Sequence, residues 1–109
     1  MNKNYYVYMI SSNSGVLYIG MTNNLQRRIY EHKNNLINGF SKRYKCQKLI
    51  FFEESTDVMS VLNREKQLKK WGHQKKIGLA RKINPNLEDL STKLEMTDPM
   101  HVERDKDDG

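Results

Sequence analysis

The sequence predicts an α+β domain, a small three-stranded antiparallel sheet flanked by helices. Two observations carry the strands. The aromatic and β-branched runs "YYVYMI" at 5–10 and "VLYIGM" at 16–21 are separated by the polar loop "SSNSG" and read as a hairpin. A third run, "KLIFFEE" at 48–54, has apolar side chains on both faces, as in a sheet covered on both sides. The third observation is a change of period: the segments after the second and third strands repeat their apolar residues at helical spacing. The order strand, strand, helix, strand, helix, helix then gives helices packed on a small sheet.

Within the hairpin, pairing of Ile10 with Val16 would set Tyr8 directly across from Tyr18 on one face. Gly20 lies two residues beyond Tyr18 on that face. It either leaves room beside the tyrosine for a ligand or marks a bulge. The first helix is expected over 23–36, with Asn23 as cap, Gln26 three residues on, and Leu25, Ile29 and Leu36 on the inner face; Gly39 falls where it should stop. The second is capped by Asp57, buries Val58, Val61, Leu62 and Leu68, and runs to Trp71-Gly72. A further helix is expected over 73–83.

Apolar periodicity fades after Pro85, where the charge also changes sign. Residues 1–87 hold 16 Lys and Arg against 5 Asp and Glu, whereas residues 88–109 hold 3 against 8. The sequence thus divides into a basic domain over 1–87 and an acidic tail over 88–109, with "TDPMHVERDKDDG" expected to be disordered. The tail either solubilises the chain or folds over the basic body as a mimic of DNA. A chain of 109 residues supports one core. No apolar run approaches the roughly 20 residues of a membrane span, and Met1 to Asn4 lead straight into strand sequence without a signal peptide, so a cytoplasmic location with no membrane partner is expected. The lone Cys46 excludes a disulfide framework and a cysteine zinc site, and reads as a small core or loop residue.

Several residues sit where a core would not place them. Glu65 occupies the apolar stripe Val58, Val61, Leu62, Leu68 where periodicity asks for Leu. An ionised carboxylate buried there needs a cation, a metal or a wet cleft, unless it lies at the stripe's edge and pairs with Lys69 at i+4. His32 completes the row Leu25, Ile29, Leu36, with Arg28 one turn earlier. Taken singly it reads as a hydrogen-bonded core histidine. Beside Arg28 it forms a cationic pair that suits a phosphate.

Together "YVY" at 6–8, "YIG" at 18–20, Arg28 and His32 in a helix, and Glu65 in "NREKQLKKW" resemble the GIY-YIG nuclease superfamily. The short single-domain form with "INP" after the last helix is similar to the bacterial group described as excinuclease-domain-like, or as a protein family carrying this nuclease domain. The resemblance covers about residues 4–84, and it implies the fold predicted above and metal-dependent cleavage of phosphodiesters. By position, Tyr18 would orient or deprotonate the attacking water, with Tyr8 hydrogen-bonding beside it. Arg28 would hold the scissile phosphate, and His32 would fill a position where members place His or Tyr. Glu65 would be the one protein ligand of a single Mg²⁺ or Mn²⁺, an ion that commonly binds through one or two carboxylates. Two departures stand out: Tyr6 replaces the Gly of the family name, and Met21 stands where some members place Lys. Some members also use a late Asn, for which Asn84 and Asn86 are nearby.

The basic residues point to nucleic acid as partner. Lys42, Arg43 and Lys45 in "GFSKRYK", and Lys66, Lys69, Lys70, Lys75 and Lys76 in "REKQLKKWGHQKK", are interleaved with Phe40, Tyr44 and Trp71. Such mixtures suit backbone contact and base stacking, especially on distorted or single strands, while Trp71 at i+3 from Leu68 reads as core. The reading is an endonuclease acting on structured or damaged DNA, in repair or recombination, with weak and salt-sensitive binding that a protein partner could complete. The alternative is a nucleic-acid-binding module that keeps the scaffold without cutting, or a factor acting on RNA.

Overall fold

The computed structural model describes residues 3–93. Strands β1 (Tyr5–Ser11), β2 (Leu17–Thr22) and β3 (Lys48–Ser55) form one antiparallel sheet in the order β2-β1-β3. Helices α1 (Leu25–Lys33) and α2 (Phe40–Arg43) separate β2 from β3, and α3 (Val58–Lys70), α4 (His73–Ile83) and α5 (Leu90–Lys93) follow it. The expected fold class is the one found.

The central strand β1 alternates between two cores. Val7 and Met9 join Ile19, Ile50, Phe51, Val61, Leu68 and Ala80 beneath α3 and α4. Tyr8 and Ile10 join Leu25, Ile29, Cys46 and Leu49 on the other face, beneath α1. Both faces are therefore covered, as the doubly apolar β3 required. Burial raises the pKa of the Cys46 thiol, consistent with its place as a small core residue.

The hairpin register differs from expectation. Ile10 pairs with Tyr18 and Tyr8 with Gly20, two residues away from the Ile10–Val16 pairing. Ser12 decides this. Its carbonyl accepts from Gly15 N and its amide donates to Val16 O, while its hydroxyl accepts from Val16 N, which draws Val16 into the turn. A shift of two preserves the face, so Tyr8 and Tyr18 remain on one side as diagonal neighbours.

The first helix is shorter than expected. Asn24, not Asn23, is the cap, its side-chain oxygen accepting from Arg27 N at 3.0 Å. The helix ends at Lys33, because Asn34 caps it and Asn35 takes a left-handed backbone with φ of 57°. Leu36 consequently leaves the inner row and is 62% exposed. Gly39, expected as the stop, instead precedes α2 with φ of 109°. In α3 the stripe holds at Val61 and Leu68, while Val58 is exposed and Leu62 half-buried. Arg64 forks onto both Glu53 carboxylate oxygens at 2.9 and 3.1 Å, tying α3 to β3.

β3 carries a bulge. Met9 pairs with Phe51 and Ile10 with Leu49, so Ile50 has no opposite residue on β1. The Ile50 carbonyl accepts from Asn84 Nδ2 at 3.1 Å, and Leu49 N donates to Asp89 Oδ1 at 3.3 Å. Leu90 packs on the Tyr8 face and Ser91 is buried. The tail expected from residue 88 thus begins inside a packed segment, and residues 94–109, including "TDPMHVERDKDDG", lie outside the described residues. Among the described residues no helix is long and apolar enough to cross a membrane.

Candidate active site

Tyr8, Tyr18 and His32 meet on the α1 face of the sheet. The Tyr8 hydroxyl lies 2.8 Å from His32 Nε2, and both groups are buried. The His32 ring is centred 5.6 Å from Tyr8 and 5.4 Å from Tyr18, and the two phenol rings are 6.3 Å apart. Gly20 allows this arrangement. A Cβ built there would stand 2.5 Å from Tyr8 Oη and 3.0 Å from Tyr18 Cε2, so the space that the glycine leaves is filled by the Tyr8 phenol itself. The expectation of ligand room beside Tyr18 at that point is corrected accordingly.

Ser41, which no pattern in the sequence singles out, holds the other side of the imidazole. Its hydroxyl is 3.0 Å from His32 Nδ1, and it is the buried residue of α2. A serine in a four-residue helix after an irregular segment has no periodic signature. Its partner, nine residues earlier in the chain, becomes visible once the chain has turned back at Gly39.

The electrostatics separate the groups by role. Burial, followed by the charge of Arg28, lowers the His32 pKa to about 4, so the ring is neutral near pH 7. The Tyr8 pKa is pushed well above the ordinary tyrosine range, first by burial and then by Tyr18, with Arg28 opposing and Glu65 and Glu31 adding to the rise. Tyr8 is therefore a neutral phenol at physiological pH, while Tyr18 is the half-buried member of the pair. Because His32 takes up a proton more readily in the unfolded chain, near the ordinary 6.5, than in the fold, its contribution to stability is complete above that value and is lost as pH falls toward 4. Urea unfolding over this window should show a loss on the order of a few kcal/mol in the parent chain that His32→Gln largely removes.

The charges of Arg28 and Glu65 act on the Tyr8 phenol in opposite directions, Arg28 lowering its pKa and Glu65 raising it. Arg28 Nε lies 3.6 Å from Glu31 Oε1, and its side chain is 38% exposed. Glu65 comes from α3, the helix layer on the opposite face of the sheet, and its side chain is 15% exposed. Its carboxylate pairs with the more exposed Lys69 at 3.2 Å, as the i+4 spacing suggested. Among the described residues no three His, Cys, Asp or Glu cluster as a metal cage. A single carboxylate, mostly shielded and held by one exposed ammonium, fits an ion that keeps most of its waters. Asn84 has a structural role, since its amide donates to Ile50 O and Glu88 O and accepts from Glu88 N.

The profile of the GIY-YIG catalytic domain matches residues 4–78, a span that includes all five candidate residues. The chain belongs to the GIY-YIG family. Its domain is therefore of nuclease type, and nucleic acid is the substrate class that the GIY-YIG domain implies. The chain is 35% identical over 86 residues to a UPF0213 protein of Syntrophus aciditrophicus, covering 78% of this chain and 97% of that one. It is 30% identical over 80 residues to a UPF0213 protein of Haloquadratum walsbyi, covering 73% and 90%. The solution NMR structure of a UPF0213 protein from Bacillus halodurans superposes with a TM-score of 0.53 at 24% identity, covering 86% of this chain and 99% of that one, and shares its fold. Where the GIY-YIG name has its first Gly, Tyr6 packs edge-on against Phe52 at 6.4 Å, a contact that a glycine could not make.

The basic residues fall in two groups. Lys42 and Arg43 in α2 and Lys45 just after it are exposed, with the Arg43 guanidinium 5.6 Å from the centre of the Tyr44 ring. Lys66, Lys69 and Lys70 line the exposed side of α3, where Lys69 is the partner of Glu65. The aromatics divide as well. Trp71 packs against the core, with Lys75 Nζ 4.2 Å above its ring, whereas Phe40 and Tyr44 face outward.

Proposed function

We propose that this GIY-YIG protein is a metal-dependent endonuclease that hydrolyses phosphodiester bonds of structured or damaged DNA, as repair and recombination require. The observation that supports this most is the meeting of Tyr8, Tyr18 and His32 at one point, with the charges of Arg28 and Glu65 both felt there.

The residues divide the work by exposure. Tyr18, the half-buried tyrosine, orients the attacking water and, as the phenolate, takes its proton as the new P–O bond forms and the bond to the leaving oxygen breaks, that oxygen being protonated from solvent. Tyr8 and His32, neutral and hydrogen-bonded, fix its ring from below. Arg28 turns from Glu31 to the phosphate, where its fork matches two oxygens and offsets the charge that develops on them. Glu65 would hold Mg²⁺ or Mn²⁺, with Lys69 displaced toward the DNA backbone. The bound ion supplies Lewis-acid polarisation and a more acidic water, the help that a tyrosine base with a reference pKa near ~10 needs.

Because Arg28 and Glu65 are each neutralised within their own helices, a binding module that no longer cuts is the competing reading. Labelled duplex, nicked, flapped, branched and single-stranded DNA, and RNA, incubated with Mg²⁺ or Mn²⁺, separate the two. Cleavage of DNA is expected, and Arg28→Ala should slow it by about 10²–10³-fold. Binding without cutting on every substrate supports the module instead, and cutting confined to RNA replaces DNA as the substrate.

A further inference from the structure

Resting on the nuclease reading, we infer that Phe40 and Tyr44 form a stacking platform for unpaired nucleobases, which feeds a single strand to Tyr18. Three aromatic rings make a continuous stair from the site to the surface. Phe40 stacks on Tyr18 with centroids 6.3 Å apart and planes 27° from parallel, and Tyr44 follows Phe40 at 4.7 Å. The two outer rings are 48% and 42% exposed. Large aromatics on a surface are ordinarily tucked against a core, whereas neither Phe40 nor Tyr44 is among the residues packed on the two core clusters.

The platform is built on a fixed base. Ser41, between the two rungs, is bonded to His32, so the short helix that carries Phe40 is anchored to the same imidazole that holds Tyr8. Charge surrounds it. Arg43 lies over Tyr44, Lys42 shares the helix, and an open groove of about 450 Å³ beside Tyr44 is lined by Lys45, Lys48, Ser12 and Ser14. Lys33 also lines it, paired with Asp89. Exposed rings flanked by cations are the chemistry of single-strand recognition: bases stack on the rings while phosphates follow the basic groups. A duplex keeps its bases stacked on one another and has none free to offer, so the rungs select a strand end, flap or gap.

The test uses the full chain and metal-free buffer, so that binding is read without cleavage. Fluorescence anisotropy with labelled oligothymidine, and with an abasic strand of the same number of phosphates, measures what the bases add. The parent chain should bind oligothymidine roughly 5- to 100-fold more tightly than the abasic strand, the gain expected of one stacked base. In Phe40→Ala that gap should shrink toward one, and in Phe40→Trp it should persist. Equal affinity for the two strands in the parent chain overturns the platform, as does a gap that survives Phe40→Ala and Tyr44→Ala together. Neither result touches the nuclease reading, which fails on its own terms if no substrate is cut in metal.

Discussion

Replacement of Glu65 by Gln is expected to reduce metal-dependent cleavage by about 10³-fold, the several kcal/mol that a bound cation contributes to a phosphoryl transition state. Gln keeps the length and the oxygen of Glu but not the charge that anchors a hard cation. Stability should scarcely change, because the shielded Glu65 carboxylate is paired only with a half-exposed Lys69 at i+4, and i,i+4 pairs with an exposed partner contribute well under ~1 kcal/mol. Single-turnover cleavage in Mg²⁺ and thermal unfolding of the same preparation check both halves. A variant that cuts within a few-fold of the parent chain would remove Glu65 from the metal site.

Gly20→Ala carries the largest expected effect on stability. The new methyl would stand 2.5 Å from Tyr8 Oη and 2.6 Å from Cζ, atoms of a ring that is buried and bonded to His32. Tyr8 cannot retreat without breaking that bond or moving Leu25 and Ile29. Overpacking of this kind costs about 1–3 kcal/mol, and for a domain of this size each kcal/mol lowers Tm by roughly 4–8 °C. Cleavage should fall along with stability, since the displaced ring pushes on Tyr18. Gly78→Ala is the matched control: a Cβ there meets nothing within 4 Å, and the helical position should gain about 0.5–1 kcal/mol. Differential scanning calorimetry of the two variants would show opposite shifts, and equal Tm values would contradict the packing argument.

How much of the molecule is legible in the sequence follows from which forces act locally. The strands, the helical periods and the caps at Asp57 and at the Asn pair are short-range features, and they can be read to within a residue or two. Glu65 and His32 stand out because each breaks a pattern of one helix. The hairpin register does not, because Ile10–Val16 and Ile10–Tyr18 place the same faces inward, and the choice rests on a hydroxyl in the turn, Ser12. Leu36 misleads because its spacing fits the row, while the backbone turns left-handed at Asn35 before reaching it. Ser41 and the Phe40 stair depend on α2 being brought to His32, a tertiary event with no periodic trace. That Glu65 lies on the helix layer of the opposite face is likewise hidden, since one helix read alone does not show which side of the sheet it covers.

The bulge in β3 ties the order of folding to the far end of the described chain. Its carbonyl at Ile50 and the amide at Leu49 are met by Asn84 and Asp89, 34 and 40 residues later. The hairpin and α1 can form from neighbours in sequence, whereas β3 has its polar groups fully matched only after the segment that follows α4 has docked. Such distant closures are slow to search because loop entropy precedes any reward. The cover over the Tyr8 face at Leu90 is therefore held by contacts of long sequence range, unlike the hairpin that supplies the two tyrosines, which closes through neighbours in sequence.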